Sequence, residues 1–126
     1  MGRLTAEFLD TPVLLQALAG AAREDLRPAQ TGVLNVFEVV HALIQRGKEP
    51  LLNRVFDRLQ AGAQALTRRR MVEASRLRIR HKDRGLSYAD AAGYVTAREL
   101  GAVFVTTDRG FRGLPGVRLL DRASPS

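Results

Sequence analysis

The sequence predicts an α/β fold, a parallel sheet with helices on both of its faces. Short apolar runs bounded by turn residues recur along the chain, as strands buried on both faces do. Segments of helical periodicity stand between them. That alternation implies right-handed crossovers, and therefore strands that all run the same way. The chain has 126 residues, which fits one domain, expected over residues 1–122 with residues 123–126 as a flexible tail.

Residues Thr5–Leu9 (TAEFL) read as the first strand. Thr11 then caps a helix with Pro12 at its first position, where a missing N–H costs nothing. VLLQALA continues that helix and the AGAAREDLRPAQ stretch ends it. TGVL, residues 31–34, is a short second strand. NVFEVVHALIQRG reads as a helix with Val36, Phe37, Val40, Leu43 and Ile44 inward, and EPLLNRVFDRLQAG as one with Leu51, Leu52, Val55, Phe56 and Leu59 inward. AQAL reads as a strand. TRRRMVEASRLRIRHKDRG reads as a helix, although Leu77-Arg78-Ile79-Arg80 alternates as a strand would. SYADAAGYVTARELG is a helix rich in small residues, able to lie close against a sheet. AVFV and VRLL (117–120) are the last strands.

Composition narrows the function. No run approaches the ~20 apolar residues of a membrane span, and the start, MGRLTAEFLD, lacks the long apolar segment of a signal peptide. A cytoplasmic location is expected. The absence of cysteine excludes disulfides and thiolate metal sites. Twenty Lys+Arg stand against 13 Asp+Glu, and Lys48 and Lys82 are the only lysines. An arginine-dominated excess suits a phosphate-rich partner, because the planar guanidinium binds phosphate through two donors.

In a parallel sheet the strand C-termini share one edge with the N-termini of the following helices, and ligands bind there. Four acids map to that edge. Asp10 ends the first strand and Asp108 ends the AVFV strand, in TTD. Glu38 follows Asn35 by three residues and Asp90 follows Ser87 by three, each in a first helical turn. Each pair also matches a capping box, and Asp10 and Asp108 also suit turns. Taken together, however, clustered carboxylates repel and raise one another's pKa unless a cation neutralises them. Oxygen donors without cysteine select a hard ion, Mg²⁺ or Mn²⁺. Such an ion activates water and stabilises a leaving oxygen. An acidic edge on an arginine-rich protein fits phosphodiester hydrolysis.

FLDTPVLLQAL, the helix-opening Glu38, LSYADAAGYVTA with Asp90, and VFVTTDRGFRGLPGVRLL together resemble a PIN domain of the VapC toxin type. The resemblance implies a three-layer α/β/α sandwich with a parallel sheet of about five strands. It implies a Mg²⁺-dependent endoribonuclease leaving 5′-phosphate and 3′-hydroxyl ends, a cognate antitoxin, and often a homodimer. Asp10, Glu38, Asp90 and Asp108 match the family's metal-binding acids, and Thr11 and Thr106 its hydroxyl positions. Thr106 would orient the Asp108 carboxylate or a water. One residue departs from the pattern: Pro12 stands where Asn or Ser is common, so a polar side chain beside the first acid is missing.

Arg109 and Arg112, beside Asp108, are candidates to meet the scissile phosphate. The basic stretch Arg68–Arg84 reads as an RNA-tracking surface or as a solvated or partner-docking face. His41 reads as a boundary histidine, and Tyr94 as a core residue with its hydroxyl at the rim or as a base-stacking platform. A catalytically inactive PIN-fold protein that binds RNA or a partner is the alternative to the nuclease. Aspartyl-phosphate chemistry loses support because Pro12 occupies the place of a second Asp and neither lysine follows a strand. No phosphate-cradling glycine motif occurs.

Overall fold

The computed structural model describes residues 6–20 and 30–121. Thr5, the 21–29 stretch expected to end the first helix, and residues 122–126 lie outside the described residues. Chain order runs β1 (Glu7–Leu9), α1 (Thr11–Gly20), β2 (Thr31–Gly32), α2 (Val33–Gln45), α3 (Leu52–Leu59), β3 (Ala63–Gln64), α4 (Arg68–Arg80), α5 (Tyr88–Leu100), β4 (Val103–Thr106) and β5 (Val117–Leu119).

All strand pairs are parallel, in two groups ordered β1-β4-β5 and β2-β3. A Phe8–Gln30 bridge joins the groups, supported by Leu9 N–H donating to the Gln30 carbonyl (2.8 Å) and Thr31 Oγ1 to the Leu9 carbonyl (2.8 Å). The expected five parallel strands are therefore present, most of them only two or three residues long.

Successive strand residues point to opposite faces, and β1 feeds two cores in this way. Phe8 joins Phe104, Phe111, Leu77, Leu86, Tyr94 and the alanines of α5 on one face. Leu9 packs on the other with Leu14, Val39, Leu43, Val55 and Leu59. Helices thus cover both faces. The small residues of α5 permit close approach: a Cβ at Gly93 would stand 3.1 Å from both the Phe8 and Phe104 rings.

Several boundaries differ from expectation. Asp10, not Thr11, opens α1, because its carbonyl accepts the first helical bond from Leu14 N–H (3.0 Å). Strand β2 stops at Gly32 and α2 begins at Val33, so Asn35 is not a cap but the third helical residue, and Glu38 lies beyond the first turn. The inward face of α2 is Asn35, Val39 and Leu43. Phe37 (68% exposed) and Ile44 point outward, as do Leu51 and Phe56 around α3, while Val55 and Leu59 are buried. AQAL is a strand only at Ala63–Gln64, and the alternating Leu77–Arg80 segment is helical.

Candidate active site

The strand ends bring Asp10 and Thr106 side by side, since β1 and β4 pair in register with Leu9 opposite Val105. Asp10 is fully buried. Its Oδ2 accepts from Thr106 Oγ1 (2.7 Å), and its Oδ1 from Thr11 N–H (2.9 Å) and Asn35 Nδ2 (3.2 Å). Three donors hold a carboxylate that cannot rotate to serve as a generic turn cap.

The network continues outward. Asn35 Nδ2 also donates to Thr11 Oγ1 (3.0 Å), and Thr11 Oγ1 donates to Glu38 Oε1 (2.6 Å). Thr106 Oγ1 in turn accepts from Asp108 N–H (3.0 Å). The Thr106 hydroxyl therefore orients the carboxylate of Asp10 rather than that of Asp108. Asp108 Oδ1 accepts from Gly110 N–H (2.8 Å), which makes the turn that β4 needs.

Asp90 forms the capping box its spacing suggested. Ser87 Oγ accepts from Asp90 N–H (3.0 Å), and Asp90 Oδ2 accepts from Ser87 N–H (3.3 Å). Capping does not exhaust its role, because burial and then the charge of Asp10 push its carboxyl up to about 7, with the neighbouring Asp108 adding to the rise. Burial likewise pushes Asp10 up to about 6, against its bonds from Thr106 and Thr11 and with help from Glu38 and Asp108. The charges of Glu38 and Asp108 thus reach Asp10, and those of Asp10 and Asp108 reach Asp90.

Among the described residues, no group of three or more acids or histidines is arranged as a ready-made metal cage. The donor set nonetheless fits Mg²⁺ or Mn²⁺, ions that keep several waters and take only one or two carboxylates from the protein. The chemistry of the donors supports this fit: all are carboxylate oxygens, and Asp10 is held in one orientation by three donors.

Asn35 is the residue that sequence reasoning missed. It is 1% exposed and joins Asp10, Thr11 and the Gly32 N–H (3.2 Å to Oδ1). The available signal was a polar residue in register with Val39 and Leu43, at i, i+4, i+8. Pro12 sits in the first turn of α1, where it supplies no polar group to Asp10. His41 lies with Thr11, Phe37 and Glu38 around a shallow cleft. Tyr94 is core, its hydroxyl donating to the Pro115 carbonyl (2.6 Å). Arg109 and Arg112 are exposed beside the site. Much of the basic stretch is structural: Arg70 is buried against Glu99 and the Ala65 carbonyl, and Arg84 donates to the Gly110 and Arg112 carbonyls.

The described strands are parallel, helices cover both of their faces, and carboxylates gather along the strand C-terminal edge, which is the arrangement of an α/β protein with an acidic edge. Residues 8–117 match the PIN domain model, and the chain belongs to the PIN domain family. Similar solved structures include a toxin–antitoxin complex from Klebsiella pneumoniae, 20% identical with a TM-score of 0.72, covering 90% of this chain and 96% of that one. A DNA-bound VapBC from Salmonella typhimurium is 16% identical with a TM-score of 0.70, covering 95% of this chain and 100% of that one. VapC20 from Mycobacterium tuberculosis, a sarcin-ricin-loop-cleaving toxin, is 22% identical with a TM-score of 0.64, covering 92% and 90%. No curated protein matches the sequence. Among the described residues no helix is long and apolar enough to cross a membrane.

Proposed function

We propose that the protein is a Mg²⁺- or Mn²⁺-dependent endoribonuclease and the toxin of a toxin–antitoxin pair. The observation that carries the reading is the fully buried Asp10 carboxylate, held by Thr106, Asn35 and the Thr11 N–H at the strand ends and linked through Thr11 to Glu38. Membership in the PIN family and the likeness to toxin structures support it. Asp10, Glu38, Asp90 and Asp108 would hold the ion, directly or through its waters. The ion, when bound, supplies Lewis-acid chemistry that favours attack of water on phosphorus and offsets charge on the leaving oxygen.

The chain's own residues do the rest. Thr106, Asn35 and the Thr11 N–H hold both Asp10 oxygens in one orientation, so no reorganisation is needed when substrate arrives. Thr11 Oγ1 fixes Glu38 at the rim. Arg109 and Arg112, exposed after Asp108, would meet the scissile phosphate, and Arg suits that role through paired donors. A cognate antitoxin would cover this edge, and a homodimer is the expected assembly.

Pro12 favours a second reading, a PIN-fold protein that binds RNA or a partner without cutting, because no polar side chain follows Thr11 beside Asp10. Cleavage of end-labelled total tRNA and ribosomal RNA separates the two. The nuclease gives discrete cuts with Mg²⁺ or Mn²⁺ that EDTA and Asp90→Asn both abolish. RNA binding with no cutting by the native protein would establish the second reading instead.

A further inference from the structure

A second cleft, of ≈ 710 Å³, opens between α4 and the start of α5. Its lining includes Arg78, His81, Lys82, Ser87 and Tyr88, and no carboxylate. The Arg78 guanidinium lies over the Tyr88 ring, 3.8 Å from its centroid. Arg78 Nε donates to the Leu86 carbonyl (2.9 Å), which pins the guanidinium and preforms the stack. Tyr88 nevertheless remains 72% exposed, which leaves room for a ligand on the ring away from Arg78. An exposed tyrosine spends its apolar surface on water unless something covers it.

The cleft is continuous with the acid edge through one residue. Ser87 lines it and also exchanges both capping bonds with Asp90. A strand passing the acids therefore reaches Tyr88 by turning around the N-terminus of α5. The volume suits a nucleotide-sized ligand. A flat ring with a fixed guanidinium suits a base, and Arg78 and Lys82 suit the adjoining phosphate. An acidic peptide would use the cations and leave the ring without purpose.

We propose that this cleft is a nucleotide subsite, in which an unpaired base of the RNA strand stacks on Tyr88 and a flanking phosphate meets Arg78 and Lys82. The proposal rests on the endoribonuclease reading and adds to it a site outside the acid edge. A base can stack there only if it is not paired, so the subsite takes an unpaired nucleotide.

The test is fluorescence anisotropy in EDTA with a short, unstructured, labelled oligoribonucleotide and its duplex form. Tyr88→Ala should weaken single-strand binding by about 5- to 150-fold, the effect of losing one stacked base. Tyr88→Phe, which keeps the ring, should bind within about twofold of the native protein, and duplex binding should change as little. Arg78→Lys keeps the charge but not the planar stack, and should also weaken the single strand. Its use keeps the test valid if Tyr88→Ala misfolds. Native-like single-strand affinity in both Tyr88→Ala and Arg78→Lys would overturn the subsite. If the native protein cuts RNA and Tyr88→Ala cuts with the same KM, the subsite falls while the nuclease stands. A native protein that neither binds nor cuts RNA removes both. Displacement of the oligoribonucleotide by poly-glutamate as readily as by unlabelled RNA would assign the cleft to an acidic protein, again against the proposal.

Discussion

The acid edge and the arginine-rich helix α4 are the two places where charge concentrates, and they treat it in opposite ways. At the edge, like charges from four separate elements meet, and one hydrogen-bond chain runs Glu38–Thr11–Asn35–Asp10–Thr106. On α4 the charges disperse. Arg70 turns inward to Glu99, and Arg76 pairs along the helix with Glu73. Convergence at a cost marks a site, whereas abundance of charge along one helix mostly marks scaffold and solvent. The net charge of +7 locates nothing by itself.

The strongest way to break this contrast is to neutralise the most constrained acid. Asp10→Asn should lower RNA cleavage by at least about 10²-fold in single-turnover assays, whereas Arg69→Ala should leave the cleavage step close to native. Comparable losses from both would erase the distinction. A second probe goes to the hub that the sequence hid. Asn35→Leu should reduce cleavage by about 10- to 100-fold, as loss of a group that orients a ligand does. It should also destabilise the fold by roughly 1–3 kcal/mol, because Asp10 and Thr11 lose a buried partner.

Stability should also move with pH, and the sign follows from the raised carboxyls. An aspartate in the unfolded chain titrates near 3.8, while the fold retains protons on Asp10 until about 6 and on Asp90 until about 7. Between those values the native state binds more protons, so stability is full at low pH and falls as pH rises through the window. The fall should be spread between pH 4 and pH 8, with Asp90 carrying its upper end. Differential scanning calorimetry in EDTA should show it, and Asp90→Asn or added Mn²⁺ should flatten it. On the scaffold side, Gly93→Ala should cost about 1–3 kcal/mol in chemical denaturation, because the added methyl meets two fully buried rings. The smallest effect belongs to the exposed Arg76–Glu73 pair, whose removal by Arg76→Ala should change stability by less than about 1 kcal/mol.

How legible the site was depended on whether a residue's place follows from its own element. Asp10 and Asp108 stand at strand ends and Asp90 at a helix start, so topology alone assigns them to one edge. Ser87 and Asp90 form their box locally, and the spacing revealed it. Asn35 was misread because an asparagine near a helix start satisfies the rules for a cap. Its real partners, Asp10 and Thr11, are brought to it only by the packing of β1 and α1 against α2. Periodicity alone puts Phe37 and Ile44 inward, although the buried row is Asn35, Val39 and Leu43. Sequence links Thr106 to the Asp108 carboxylate or to a water, but its hydroxyl donates to Asp10 on the neighbouring strand, a pairing that only the sheet register brings about.

If the protein is the proposed nuclease, the four acids behave as one cation-binding cluster. Isothermal titration of Mn²⁺ into the native protein near pH 6.5, repeated in buffers of different ionisation enthalpy, tests it most directly. Metal must displace the protons that Asp10 and Asp90 retain, so binding should release protons and the measured heat should vary with the buffer. Asp10→Asn and Asp90→Asn should each weaken binding and reduce the release. Binding absent from the native protein, or equal in all three without proton release, would contradict the claim.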